Sequence, residues 1–375
     1  MSSNNEMNQD FIVIGAGIIG LATAERLLAQ GAAVTILERG TVGQESSWAG
    51  GGVLSPLCPW NYPDEVTRLT SYSASLFAAW VHSLHAASGI DPEYEMSGML
   101  VLPPFDAHAA QQWCVAHEVK VEKNFSAPSA TVPSFPTIGR DVWEQGDALL
   151  LPEVAQVRNP RLLRALHSRV KALGGHIIEQ CAVHDIVTGG SRVQTLTTAC
   201  GTFSAAQGYI VTAGAWSKQV LGQHALNLNI KPMRGQMLLF RFATAPLRPI
   251  LLQDDLYLIY RRDGHLLIGS TLEDVGFNKQ TTIAARNDLL ERAQRLVPAL
   301  GNMPLMQHWA GLRPASPHNI PTIGRHPQLD NLYINSGHFR YGVTMAPASA
   351  SILLNEITGM PQPFDVAPYQ AGWGI

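Results

Sequence analysis

The stretch Phe11-Ile-Val-Ile-Gly-Ala-Gly-Ile-Ile-Gly20, with Glu38 downstream, restricts this chain more than any other segment. Four apolar residues predict a buried parallel strand, and Gly15, Gly17 and Gly20 fall where a helix begins. Gly15 suits the tight turn, Gly17 lets the backbone approach a pyrophosphate, and Gly20 lets the helix pack close to the sheet. The helix N-terminus then offers free backbone N–H groups and a partial positive charge to that anion. A second strand, Ala33 to Leu37, ends on Glu38, 18 residues past Gly20, where a carboxylate can accept both ribose hydroxyls. Glu38 would repel a 2′-phosphate, so the expected ligand is FAD or NAD and not NADP. A glycine-rich strand-to-helix turn can be merely structural. Here the strand, the helix and the acid at the right distance favour dinucleotide binding.

At 375 residues the chain exceeds a single typical core, so two domains are expected. Its net charge of −3, with no basic run of five or more residues, argues against a broad nucleic-acid surface. Cys58, Cys114, Cys181 and Cys200 are widely spaced without a CxxC pair, a pattern of reduced thiols in a cytoplasmic protein. The apolar run at Phe11 does not read as a signal peptide or membrane span. Residues 1 to 10 carry Glu6 and Asp10 and no Lys or Arg, and Glu25 and Arg26 interrupt the run early. A soluble, unprocessed protein with no membrane span is expected.

Further along, helical spacing predicts helices over about 64–87, 106–117 (capped by Asp106), 159–173, 282–297 and 343–358. Three prolines make 126–140 an irregular connection. Strand-like runs lie at 176–181, 183–187, 192–198, 208–217 and 331–338, and alternating strands at 237–242, 256–260 and 265–269 predict an antiparallel sheet. The segments alternate between two domains. The dinucleotide part is expected over 8–80, 152–226 and 306–366, and the second domain over 81–151 and 227–305.

Several motifs then occur in order: the fingerprint, Ser46-Ser-Trp-Ala-Gly-Gly51, Lys231-Pro-Met-Arg-Gly-Gln236, Trp309-Ala-Gly-Leu-Arg-Pro314 and Gly337-His-Phe-Arg-Tyr-Gly342. Together they resemble the D-amino-acid oxidase superfamily of FAD enzymes, most closely its glycine oxidase branch, over nearly the whole chain. The resemblance implies an α/β protein: a Rossmann-like FAD domain of glutathione-reductase type beside a mixed, largely antiparallel sheet that covers the substrate. It places the pyrophosphate over Gly15, Gly17 and Ile18, and the adenosine ribose at Glu38 with Arg39 beside it. Ser46, Ser47, Ala49, Gly50 and Gly51 would line the flavin and ribityl chain. Val183, Ala213, Gly214 and Trp216 would cover the adenosine side. Gly342, Val343 and Thr344 would open the last helix toward the flavin N1–C2=O edge, where charge develops on reduction. His338, Arg340 and Tyr341 would also border the cofactor, His338 as a contact and not as a base. Covalent attachment, as in the sarcosine oxidase branch, needs a cysteine in the C-terminal section, and none lies beyond Cys200. Non-covalent FAD is expected.

The substrate site follows from charge. A small amino acid bound where water is excluded needs its carboxylate neutralised, and a planar guanidinium can form two parallel hydrogen bonds to it. The resemblance puts Arg313 at that position, Tyr257 as supporting phenol, Arg340 as a second pocket arginine (both arginines also near the flavin) and Gly51 at the substrate border. An arginine before proline is otherwise usually a surface residue, and Tyr257 otherwise a half-buried strand residue. Two departures from glycine oxidases, Asp255 in place of histidine and Leu272 in place of methionine, are expected near the substrate mouth.

Other constellations favour bland readings. His82 and His85, three apart on a helix, have no evident third ligand, so no metal site is expected. Ser46-Ser47 lacks a nucleophile elbow, and the tryptophans lack the interleaved Lys or Arg of a base-stacking platform. The expected reaction is oxidation of an α-amine beside a carboxylate by hydride transfer to flavin N5, without a general base. Dioxygen would be the acceptor, giving hydrogen peroxide, and the imine would yield glyoxylate and ammonia or enter thiazole synthesis in the thiamine pathway. A D-amino-acid dehydrogenase or sarcosine-type oxidase, a tRNA-modification oxidase and a non-catalytic flavoprotein remain as alternatives. By resemblance alone, a homo-tetramer is implied.

Overall fold

The computed structural model describes residues 9–125, 138–243 and 248–374, so most of the proline-rich connection expected over 126–140 lies outside the described residues. The fingerprint folds as strand β1 (Phe11–Ile14), helix α1 (Ile18–Ala29) and strand β2 (Val34–Leu37). Every residue of both strands is buried, as a parallel sheet covered on two faces requires. β1 is central in a six-stranded sheet ordered Thr322–His326, Leu329–Ser336, Gly208–Val211, β1, β2, His176–Ile178. Only the Thr322–His326 strand runs antiparallel to its neighbour.

Alternation within the strands divides the core. Phe11, Val13, Val34 and Ile36 face α1 and the helices Asp64–Ser88, Asn159–Ala172 and Gly342–Thr358. Ile12, Ile14 and Leu37 face a three-stranded antiparallel sheet, Val183–Gly189, Arg192–Thr198 and Gly201–Phe203, through Ile186, Val193 and Leu196. Burial of each such side chain contributes roughly 1.5–3 kcal/mol.

A second sheet has eight strands in the order Gln307–Ala315, Lys231–Arg241, His265–Gly269, Leu256–Tyr260, Ile250–Gln253, Met99–Val101, Ala148–Leu151, Glu122–Phe125. It is antiparallel except where Ile250–Gln253 meets Met99–Val101. One face packs Leu238, Phe240, Leu258, Tyr260 and Ile268 under the helix Ile283–Leu296. The other presents Met237, Tyr257 and Ile259 toward the first domain.

The expected boundaries need two changes at residue level. The helix Asp64–Ser88 continues through the cut placed at residue 80 and packs wholly in the core of the six-stranded sheet. The strand Gln307–Ala315 pairs along its whole length with Lys231–Leu239 in the second sheet, although 306–366 was assigned to the dinucleotide part. Strand pairing decides this, and pairing partners about 70–85 residues apart leave no local trace in sequence. Among the described residues, no helix is long and apolar enough to cross a membrane and no group of three His, Cys, Asp or Glu is placed to hold a metal ion.

Candidate active site

A long cavity lies between the two sheets, running from the carboxyl ends of β1 and β2 to the face of the second sheet. At its first end the glycine turn has the geometry its residues predict. Gly15 has φ +107°, and a Cβ there would sit 2.8 Å from the Thr212 carbonyl. A Cβ at Gly20 would sit 1.9 Å from the Gly15 carbonyl, so Gly20 works in packing and does not itself line the cavity. Gly17 and Ile18 do line it. The first turn of α1 carries no acidic residue, and Gly17 supplies no side-chain cap; the Ser47 hydroxyl, itself on the cavity wall, accepts the Ile18 N–H at 3.0 Å, and the positive end of the helix faces the cavity. Glu38, 8% exposed, accepts the Ala16 N–H at 2.7 Å with one carboxylate oxygen and the Gly40 N–H at 2.8 Å with the other. It therefore fastens the glycine turn to β2 and keeps lone pairs for a further donor. Val183, Ala213, Gly214 and Trp216 form the adjoining wall. Arg39 lies 3.5 Å over the Trp216 ring while ion-paired to Glu45 at 2.8 Å.

In the middle, Ser46, Ser47, Gly50 and Gly51 line the cavity. Ala49 does not. Its carbonyl accepts the Trp309 indole N–H at 3.1 Å and its side chain faces Gly311, turned away by the single-turn helix Ser46–Ala49. Sequence reasoning missed what holds this segment. The buried Asn159 amide donates to the Ser47 and Gly50 carbonyls at 2.9 and 3.0 Å, and Arg261 donates to the Gly51 carbonyl and to Gln156, both at 2.6 Å. Burial, with Arg158 adding to it, lowers Arg261 to about 10; it remains a cation at neutral pH.

A second uncapped helix N-terminus, without acidic residues in its first turn, meets the cavity at Gly342, Val343 and Thr344. His338 borders it but is spent structurally: its Nε2 lies 2.8 Å from Ser349 Oγ, and burial pushes it down to about 3. A neutral, enclosed imidazole of that kind is no general base at neutral pH. Burial, with Tyr62 nearby, holds the Tyr341 phenol well above its ordinary value, and its oxygen accepts the Leu57 N–H at 3.3 Å.

The far end contains Tyr257, Arg313 and Arg340. Arg313 donates to Ser270 Oγ at 2.6 Å and to the Thr271 carbonyl at 3.0 Å. Burial lowers it below the usual guanidinium range, opposed by Tyr257 and reinforced by Arg340. An arginine stays charged regardless, so the shift marks a cation short of counter-charge. Among the described residues, neither Arg313 nor Arg340 is ion-paired with a carboxylate. The guanidinium fits because of cross-strand glycines. Gly235 and Gly311 are directly paired, and a Cβ on Gly235 would sit 2.1–2.3 Å from the Arg313 guanidinium atoms. Tyr257 lies over Gly269 in the same way and donates its hydroxyl to Met237 Sδ at 3.2 Å.

Residues 270–282 form a loop that sequence reasoning did not assign to the site. Buried Arg234 binds Glu273 at 2.5 Å and the Gln280 carbonyl at 2.7 Å. Burial opposes the charge on Glu273, yet hydrogen bonds from Arg234, Thr271 and Gln236 prevail and hold its carboxyl below the usual range. The same loop supplies Ser270 and Thr271 to Arg313, sends Phe277 against Trp216 at 5.4 Å and ion-pairs Lys279 with Glu45 at 2.8 Å. Asp255 and Leu272 are not at the substrate mouth as expected. Asp255 is ion-paired with Arg292 on the helix behind the second sheet, because it belongs to the Asp254–Asp255 turn and not to the strand Leu256–Tyr260 that carries Tyr257, and Leu272 projects outward at 41% exposure.

Comparison with known proteins agrees with this geometry. Residues 10–355 match the family described as FAD dependent oxidoreductase. The chain is 40% identical to a glycine oxidase of Pseudomonas aeruginosa over 369 residues, covering 97% of this chain and 98% of that one. It is 30% identical over 360 residues to the bifunctional protein ThiO/ThiG of Trichormus variabilis, covering 94% of this chain and 53% of the relative. A crystal structure of glycine oxidase from Bacillus cereus superposes with a TM-score of 0.86 at 25% identity, covering 94% of this chain and 95% of that one.

Proposed function

This chain belongs to the family of FAD dependent oxidoreductases and is an FAD-dependent amino-acid oxidase; on that premise we propose that its substrate is glycine or a comparably small amine bearing a carboxylate, with dioxygen as electron acceptor. The observation that carries the proposal is the pair of guanidiniums, Arg313 and Arg340, on the cavity wall without carboxylate partners among the described residues. A cation left uncompensated where water is scarce calls for an anionic ligand, and Arg313 presents the geometry to grip a carboxylate with two bonds.

The cofactor fits the residues present. The glycine cradle and the positive start of α1 would hold its pyrophosphate, Glu38 its ribose, the 46–51 segment its ring system, and the N-terminus of Gly342–Thr358 its negative charge after reduction. When bound, FAD supplies a two-electron acceptor for the hydride leaving the substrate Cα. The chain's own residues bind and orient. Arg313 fixes the carboxylate, and Ser270 and Thr271 hold Arg313. Tyr257, Met237 and Ile259 keep that end apolar, which favours the neutral amine whose lone pair stabilises the forming imine. The imine then hydrolyses to glyoxylate and ammonia or is passed on for thiazole synthesis. Hydrogen peroxide is the second product. The FAD is proposed to be dissociable: the cysteine on the cavity wall, Cys181, lies at the adenosine end beside Val183.

A peroxide-coupled screen of glycine, sarcosine and D-amino acids with purified yellow protein tests the reading. Activity on glycine or sarcosine is expected. Turnover only of amines that lack a carboxylate would overturn it.

A further inference from the structure

Two thiols that the proposed reaction does not use lie together at the adenosine end of the cavity. Cys181 is 1% exposed, and its backbone N–H donates to the Glu38 carbonyl at 2.8 Å. Cys200 is exposed, in the tight turn joining Arg192–Thr198 to Gly201–Phe203. The antiparallel pairing of Val183 with Thr198 extends one step further through the Ala199 N–H to Ala182 carbonyl bond at 2.9 Å, which sets Cys200 across from Cys181. Thr198 binds both: its hydroxyl oxygen accepts the Cys181 thiol at 3.3 Å and the Cys200 N–H at 3.0 Å. The Cys200 thiol itself lies 3.8 Å from the carbonyl of Gln180, the residue next to Cys181. Directly opposed residues of an antiparallel pair have Cα atoms about 4.5–5.5 Å apart, within the roughly 4.4–6.8 Å that a disulfide spans. Cys58 and Cys114 are buried in a different core, that of the second sheet.

We propose that Cys181 and Cys200 form an oxidation site, converted by hydrogen peroxide to a cross-strand disulfide. The Cys200 thiolate attacks one peroxide oxygen, the O–O bond breaks, and a sulfenic acid and water result. The Cys181 sulfur then displaces the sulfenic hydroxyl, which leaves as a second water. Two electrons pass from the sulfurs to one peroxide, and the two thiol protons end in water. Exposure makes Cys200 the peroxide-reactive thiol, and burial makes Cys181 the resolving one. The native oxidant is the product of the proposed reaction, so the physiological source rests on that reading; the site does not. The neighbouring Cys181 side chain raises the Cys200 thiol above its ordinary value. Oxidation is therefore slow at neutral pH and faster in mild alkali, where more thiolate exists.

The test uses holoenzyme exposed to added hydrogen peroxide at neutral and mildly alkaline pH, followed by thiol titration after denaturation and non-reducing peptide mapping. Free thiols should fall from four to two, with one linked peptide pair containing Cys181 and Cys200, restored by dithiothreitol. Cys200→Ser should retain its three remaining thiols through the same exposure. Cys181→Ala should instead carry Cys200 on to sulfinic acid. No thiol loss, a link to Cys58 or Cys114, or sulfinic Cys200 without a link in the unmodified chain would each overturn the proposal. Glycine turnover in air, with and without catalase, replaces added peroxide in a second arm. A link that forms with added peroxide but not during turnover supports the site and counts against the proposed function.

Discussion

Replacing Gly235 by alanine should damage catalysis through a residue that the substitution does not alter. Gly235 lies outside the left-handed region, so alanine can adopt its backbone conformation. The new methyl would meet the Arg313 Nη1 at 2.1 Å and its Cζ and Nη2 at 2.3 Å. Carbon contacts settle near 3.5 Å, so the guanidinium must retreat by roughly 1 Å or more. It is the far end of a flexible side chain, and the fold should lose only about 1–3 kcal/mol. The bonds to Ser270 Oγ and the Thr271 carbonyl cannot both survive the shift. Misplacing a substrate clamp by that distance costs about 100-fold in rate. Steady-state peroxide production with glycine should show kcat/KM falling by about that factor, with weaker inhibition by acetate and an unchanged flavin spectrum. The decisive measurement is the cycle with Arg313→Ala. If Gly235 acts through Arg313, the double variant is no worse than Arg313→Ala alone; losses that add in full would refute the reasoning.

Arg313→Ala should lower kcat/KM by roughly 30- to several-thousand-fold, the about 2–5 kcal/mol cost of stranding a buried anion, and Arg313→Lys should recover only part, as steady-state kinetics will show. Glu38→Ala should weaken FAD retention at least about tenfold. Because Glu38 also accepts the Ala16 and Gly40 amides, denaturant unfolding of the apoprotein should show a loss of about 1–3 kcal/mol as well. His338 is held at about 3 by burial, below its unfolded value of about 6.5. Its contribution is thus fully present above pH of about 6.5 and falls by about 1.4 kcal/mol per pH unit as pH drops toward 3. The stability of His338→Gln should accordingly show a shallower acid slope than that of the unmodified chain, and parallel slopes would count against the burial argument.

What could be read from sequence was local. Strand, glycine turn, helix and Glu38 fall within 28 residues of Phe11, and their chemistry follows from spacing alone. Arg313 was reached through its motif, but its holders were not: Ser270 and Thr271 lie some 40 residues away and meet it through the β-sheet. Gly235 looked like one more glycine until strand pairing set it under a guanidinium. Asp255 and Leu272 were misplaced for a related reason, since both sit just outside a strand, Asp255 in the turn before Leu256–Tyr260 and Leu272 in the loop after His265–Gly269, where the strand's alternation no longer says which way a side chain points. Ala49 was counted with its neighbours because a four-residue helix leaves too little periodicity to say which way it turns.

The loop over residues 270–282 touches both ends of the cavity at once, holding Arg313 through Ser270 and Thr271 and closing over Trp216 and Glu45 through Phe277 and Lys279. An ordering event at either end is therefore shared. To the extent that FAD settles the Trp216 end, it preorganises the carboxylate grip some distance away. Reciprocity then requires that a bound carboxylate tighten FAD by the same factor. Substrate in the cell would act as a retention factor for the cofactor, and a starved enzyme would be the one most ready to lose it.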